Sequence, residues 1–173
     1  MRQKVRISVI FMASLLAIST AVAQSSTAPD ACGLLDRQAA ETAFGAAVPA
    51  GRSGVATEAI TTCSFPIGAG KISILIRRSV GQTWIAEQEE RMSRGTRFHP
   101  VAGLGKQAFT FDLADAGVAL CVFGPDYFLQ VSVFHAGPAL TVLPATEKLA
   151  RAAISRVEGT AVPNARSLAE ARR

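Results

Sequence analysis

The chain predicts an α+β fold, an antiparallel sheet of about five strands with helices packed on it. Three observations carry this. Two pairs of alternating apolar segments, 61–67 with 71–78 and 117–123 with 128–134, are each joined by a short Gly-bearing turn, which only antiparallel pairing can close. Three other stretches place apolar residues at helical spacing. The order helix, two strands, helix, three strands, helix keeps the hairpins apart and leaves helices free to cover a shared sheet.

The first residues read as a processing signal and not as fold. Arg2, Lys4 and Arg6 form a basic start, Ile7–Ile18 is an apolar run too short to span a bilayer, and Ala21-Val22-Ala23 fits a small-residue cleavage site. Residues 1–23 are therefore expected to be a signal peptide, with Gln24 the first residue of an exported, periplasmic or secreted protein. No membrane span would remain after cleavage. Removing this leader leaves 15 basic against 13 acidic residues, a net charge of about +2. That balance does not support an electrostatic attraction to nucleic acid. The remaining length suits one domain, and a monomer is expected.

Residues 24–29 are small and polar and read as a flexible lead-in, followed by a single domain over 30–157. Asp36 is placed to cap a short helix that Gly45 ends, with Ala40, Ala43 and Phe44 facing inward. Pro49–Thr57 lacks periodicity and reads as a loop. In the first hairpin, pairing Ile67 with Ile72 around Gly68-Ala69-Gly70 gathers Cys63, Phe65, Ile67, Ile72, Ile74 and Ile76 on one face. Pro66 has no N–H to donate, which assigns its strand to an edge or a bulge.

Thr83–Arg94 has acidic residues early and Arg91 and Arg94 late, as a helix dipole prefers, with Trp84, Ile85, Gln88 and Met92 as its buried stripe. Gln107–Leu113 reads as a strand with Phe109 and Phe111 on one side. In the second hairpin, a loop over Gly124–Tyr127 pairs Phe123 with Phe128. This register puts Val118, Leu120, Val122, Leu129, Val131 and Val133 on one face, and Ala119, Cys121, Phe123, Phe128, Gln130, Ser132 and Phe134 on the other. A last helix spans Glu147–Val157 with Leu149, Ala153, Ile154 and Val157 inward. Residues 158–173 form a C-terminal tail.

Three cysteines in an exported chain imply one disulfide and one free thiol. Cys63 alternates with Phe65 and Ile67 and so points to the core, whereas Cys121 lies on the other face of its strand. Cys32–Cys63 is the favoured pair.

The motifs that suggest chemistry fit turns better. Gly68-Ala69-Gly70-Lys71 and Gly103-Leu104-Gly105-Lys106 lack the Ser or Thr and the following helix of a phosphate loop. Cys121 faces Gln130, which puts His135 about 17 Å away on the opposite face, too far for a thiolate–imidazole pair. His99 precedes Pro100 without a partner acid. No metal-ligand spacing and no nucleophile elbow is present, so no catalytic set, metal or cofactor is assigned. The mixed face at Phe123, Phe128 and Gln130, together with Arg91 and Arg94, is the candidate interaction surface.

Asp30-Ala31-Cys32-Gly33-Leu34-Leu35, the helix running to Phe44-Gly45, Cys63-Ser64-Phe65, and Val101-Ala102-Gly103-Leu104-Gly105-Lys106-Gln107-Ala108-Phe109 together resemble exported bacterial envelope domains of unknown function, lipoprotein and sensor-type. Those domains have a C-x-LL start, a second cysteine in the first strand and a GLG-x-x-A turn. The resemblance implies a PsbP-like sandwich, with antiparallel strands between helices, and makes Cys32–Cys63 the structural disulfide. This chain lacks their lipid-attachment cysteine and adds Cys121, and the resemblance carries over no catalytic residue. The expected function is an exported non-enzymatic binding or interaction domain whose partner is an envelope protein or a small ligand. The alternative is an envelope enzyme or thiol-redox protein using Cys121 or His99.

Overall fold

The computed structural model describes residues 28–78, 80–94, 98–113 and 116–159. The expected signal peptide, all of the lead-in before Ala28 and the tail beyond Gly159 lie outside the described residues. In chain order the elements are α1 (Ala31–Leu34), α2 (Arg37–Phe44), β1 (Arg52–Ala56), β2 (Ile60–Ile67), β3 (Gly70–Arg78), α3 (Gln82–Arg94), β4 (Phe98–Pro100), β5 (Gln107–Asp112), β6 (Gly117–Phe123), β7 (Tyr127–Phe134) and α4 (Ala139–Gly159). The strands form one antiparallel sheet in the order β1-β2-β3-β7-β6-β5-β4. The fold is α+β, with seven strands where about five were expected.

The central hairpin has the expected register: Phe123 pairs with Phe128, Val122 with Leu129 and Cys121 with Gln130. Its aliphatic face is the floor of the main core. Val118, Leu120, Val122, Leu129, Val131 and Val133 are all buried there, beside Phe65, Ile72, Ile74 and Ile76 of the neighbouring strands. Helices α1, α2 and α4 roof this face, contributing Ala31, Leu34, Ala40, Leu149, Ala153 and Val157. Each large aliphatic side chain buried this way contributes about 1.5–3 kcal/mol of hydrophobic free energy, so this face dominates stability.

The opposite face is smaller and aromatic. There α3 lays Ile85, Trp84 and Met92 over Phe109, Cys121, Phe123 and Phe128, with Phe98 and Phe111 at the margin. The sheet is thus sandwiched, with three helices on one side and one on the other. The route from β3 to β4 explains the strand order. Strand β3 sits mid-sheet, and α3 carries the chain across the aromatic face to the far border, from which β4, β5, β6 and β7 return strand by strand.

Four expectations are corrected. The loop assigned to Pro49–Thr57 contains β1, which escaped notice because all five of its residues are exposed and carry no apolar alternation. The short β4 was missed for the same reason, with only Phe98 partly buried. In the first hairpin Ile67 pairs with Gly70 and Phe65 with Ile72, a two-residue slip from the expected register. The slip is even, so every side chain keeps its face. A Cβ on Gly70 would lie 2.1 Å from the Phe134 carbonyl oxygen, which makes Gly70 a strand residue pressed against β7 and not part of the turn. Lastly, α4 begins at Ala139, eight residues before the expected start, and runs through Pro144. Prolines at 138 and 144 and Gly137 had masked its first two turns. Within the described residues no helix is long and apolar enough to cross a membrane.

Two expected devices are present. Asp36 accepts from the Ala39 amide at 2.9 Å and caps α2, which ends at Gly45 with φ 62°. Cys32 and Cys63 form the disulfide, with Cα atoms 5.1 Å apart, fastening α1 to β2. Pro66 lies past the last β1–β2 pair, at Arg52–Ser64, so its missing N–H removes no bond to β1.

Candidate binding cleft

A concavity lies where the Gly103–Lys106 loop, the Gly124–Asp126 turn and the last turns of α4 meet. It has a volume of about 580 Å³ and is lined by Leu104, Lys106, Pro125, Arg151, Ser155 and Glu158 among others. Its size is in the range of small-ligand sites, and it opens broadly to solvent.

Each wall is held by a specific bond. Leu104 is buried and anchors the loop in the main core, while the flanking glycines have positive φ, 71° at Gly103 and 56° at Gly105. A Cβ on Gly105 would meet Val122 Cγ1 at 2.6 Å and the Phe123 carbonyl oxygen at 2.7 Å. Only glycine fits this conformation and this approach together. The Lys106 amide donates to the Phe123 carbonyl at 2.8 Å, which fastens the loop to the end of β6 and leaves the lysine side chain at the cleft. From the helix, Arg151 Nη1 donates to the Gly103 carbonyl at 2.7 Å. At the other end, the Tyr127 hydroxyl donates to Glu158 Oε1 at 3.0 Å. Burial first, and then the Glu158 hydrogen bond, hold the Tyr127 phenol above its ordinary range.

Behind Tyr127 lies Arg78, whose side chain is only 10% exposed. Its Nη1 donates to Asp126 at 2.9 Å and its Nη2 to the Val157 carbonyl at 2.9 Å, while its guanidinium lies 5.8 Å from the Tyr127 ring. The end of α4 is therefore clamped to β3 and to the β6–β7 turn. A helix C-terminus carries partial negative charge, which the buried guanidinium answers.

The residues expected to form an interaction surface are not brought together. Phe123 is wholly buried and Phe128 is 8% exposed. Trp84 packs edge-on against Phe128 with ring centroids 5.6 Å apart, and Phe123 lies 5.2 Å from Phe128. These aromatics are core under α3, which corrects their assignment to a surface. Gln130 is half-buried and donates to Ser132 Oγ at 2.9 Å. Arg91 and Arg94 lie on the solvent side of the same helix, beside Glu87 and Glu90 in a shallow depression of about 380 Å³, with Arg94 paired to Glu90. The helix itself separates the two halves of the expected patch.

Cys121 is the free thiol and is 1% exposed. Burial pushes its pKa up to about 12, the opposite of what a nucleophilic thiolate needs. His99 is exposed and pairs with Thr110, which in turn pairs with Leu120. That row belongs to the other face of the sheet from Cys121, so the two do not share a site. Gly103–Lys106 is a turn, as expected, but it walls the cleft. The apolar pattern of the last helix points to neither Arg151 nor Ser155 and stops at Val157, which put Glu158 in the C-terminal tail; α4 in fact runs to Gly159 and carries all three on one stripe at helical spacing. Comparison with protein-family models, curated proteins and solved structures finds no match.

Proposed function

We propose that the protein is an exported binding domain of PsbP-like architecture that does no chemistry of its own and holds a partner or small ligand in the cleft between the Gly103–Lys106 loop and α4. The single observation that supports this most is that the cleft walls are set in advance. Arg151, Lys106 and Glu158 present charge into a concavity whose loop and helix are each tied down by hydrogen bonds to the main fold. A site ordered before binding loses little entropy on binding. The buried, electrostatically unassisted thiol of Cys121 speaks against the redox alternative. The basic start of the chain, its short apolar run and its Ala-x-Ala sequence support export.

The test is affinity capture from an envelope extract of the native host, with wild-type protein and K106E/R151E side by side and mass spectrometry of what co-purifies. A species retained by the wild type and lost from the double variant supports the cleft. Identical retention by both places the binding surface elsewhere. N-terminal sequencing of the protein recovered from its host is expected to read from Gln24; a chain beginning at Met1 would remove export from the proposal.

A further inference from the structure

Resting on that cleft, we infer that its ligand is a short, extended peptide-like molecule with a free carboxylate at one end and a free ammonium at the other. The inference starts from the spacing of charge on α4. Arg151, Ser155 and Glu158 all line the cleft. Positions seven apart on a helix return to nearly the same direction and are separated by about 10 Å along its axis. The cation and the carboxylate thus stand at opposite ends of one helical stripe, with Ser155 and Ile154 between them.

Each end is fixed and each keeps unused capacity. Arg151 spends Nη1 on the Gly103 carbonyl, at 2.7 Å, which aligns the guanidinium and leaves its other edge for a carboxylate. Glu158 spends Oε1 on the Tyr127 hydroxyl, at 3.0 Å, and leaves Oε2 for an ammonium. Lys106 on the facing wall makes no ion pair among the described residues and gives the cleft an excess of positive charge. The acidic end of the ligand is therefore held more strongly than the basic end.

An extended chain advances about 3.3–3.6 Å per residue, so a tripeptide with free ends is commensurate with the axial separation of the two positions on α4. The facing wall suits a main-chain ligand as well. Gly103 and Gly105 are exposed and carry no side chain, so the loop backbone is accessible to the amide groups of a peptide lying against α4.

The experiment is isothermal titration of the full mature chain with trialanine, N-acetyl-trialanine and trialanine amide, each against wild type, R151Q and E158Q. Glutamine at 158 still accepts from Tyr127, so E158Q removes the charge and keeps the wall. Expected are saturable binding of trialanine, weakening by about tenfold on acetylation, and weakening by more than that on amidation, as the loss of a charge-assisted contact requires. In E158Q the penalty for acetylation disappears while that for amidation stays; in R151Q the penalty for amidation shrinks while that for acetylation stays. Equal affinity for the three peptides, penalties untouched by the variants, or saturable binding of none of them overturns the inference. If no peptide binds while K106E/R151E still loses its captured species, the cleft remains the binding site and only the ligand class is wrong.

Discussion

Arg78 donates to the carbonyl of Val157, 79 positions further along the chain, at 2.9 Å. With its second contact to Asp126, this one side chain joins β3, the β6–β7 turn and the end of α4. Removing it takes away both of these bonds and loosens the hold of β3 on the end of α4. We expect R78A to lower unfolding free energy in urea by about 2–3 kcal/mol, the worth of two charge-assisted hydrogen bonds in a largely buried setting. R78K should recover part of this, because an ammonium cannot address both acceptors with the planar fork of a guanidinium. A loss below about 0.5 kcal/mol for R78A, the level of an ordinary surface change, would show that the clamp is not structural.

Stability should decline in alkaline solution from a defined onset. The folded state holds Cys121 at about 12, up from 9.0, and holds Tyr127 above its ordinary 10.0, in both cases first through burial. A group whose pKa is raised by folding keeps its proton longer in the native state than in the unfolded chain. Its contribution is complete below the unfolded pKa and disappears as pH climbs toward the folded one. Denaturation midpoints should therefore hold level up to about pH 8 and fall from about pH 9 upward. C121A should remove the first part of the fall and Y127F the part beginning near pH 10. Midpoints that stay flat to pH 11 in the wild type would contradict both placements.

The same burial makes a kinetic prediction. Cys121 should react with an aromatic disulfide reagent at pH 8 at least a hundredfold more slowly than a small free thiol, and should become fully reactive in urea. Fast native-state labelling would revive a redox role.

The disulfide closes a loop with a sequence separation of 31. Chain-entropy reasoning gives such a link a worth of about 4 kcal/mol. The C32S/C63S pair should lower the urea midpoint accordingly, without moving the central hairpin. Amide exchange in β6 and β7 should still report the slowest-opening residues, and exchange should quicken first in α1 and β1.

Substituting Gly105 tests the loop. G105A places a methyl group against Val122 and the Phe123 carbonyl and forces an unfavourable φ, so it should cost about 1–3 kcal/mol and distort the cleft. A crystal structure or amide spectrum of G105A with an unmoved loop would show that the tight packing tolerates a side chain.

What could be read from the residues followed from burial. The β6–β7 hairpin declared its register because six aliphatic side chains must share one face, and a shift by one residue would expose them all. The β2–β3 hairpin declared its faces but not its register, since pairing Ile67 with Gly70 or with Ile72 satisfies the same alternation. Strand β1 carries no such pattern, because all five of its residues are exposed. Three backbone pairs join it to β2, and at the bulge the Thr62 hydroxyl accepts from the Val55 amide at 2.8 Å, a contact no periodicity reveals. Pro144 hid the start of α4, although only one intrahelical bond is lost there and Val142 is buried. The cleft was the least legible feature. Its charged residues come from a loop and a helix 45 positions apart, and the Arg78 clamp, the Arg151–Gly103 bond and the disposition of α4 bring them to one place. The spread of Phe123 and Phe128 across a strand face suggested a surface, because alternation reports which side a residue takes and not whether a later helix covers it.

The two borders of the sheet bear on how the protein behaves in a crowd of its own copies. At one, Gly54 and Val55 stand opposite the single residue Thr62, so the ladder is interrupted partway along β1. At the other, β4 is three residues long and ends in Pro100. A foreign strand arriving at either side finds a kinked or truncated template with missing donors, which discourages edge-to-edge polymerisation.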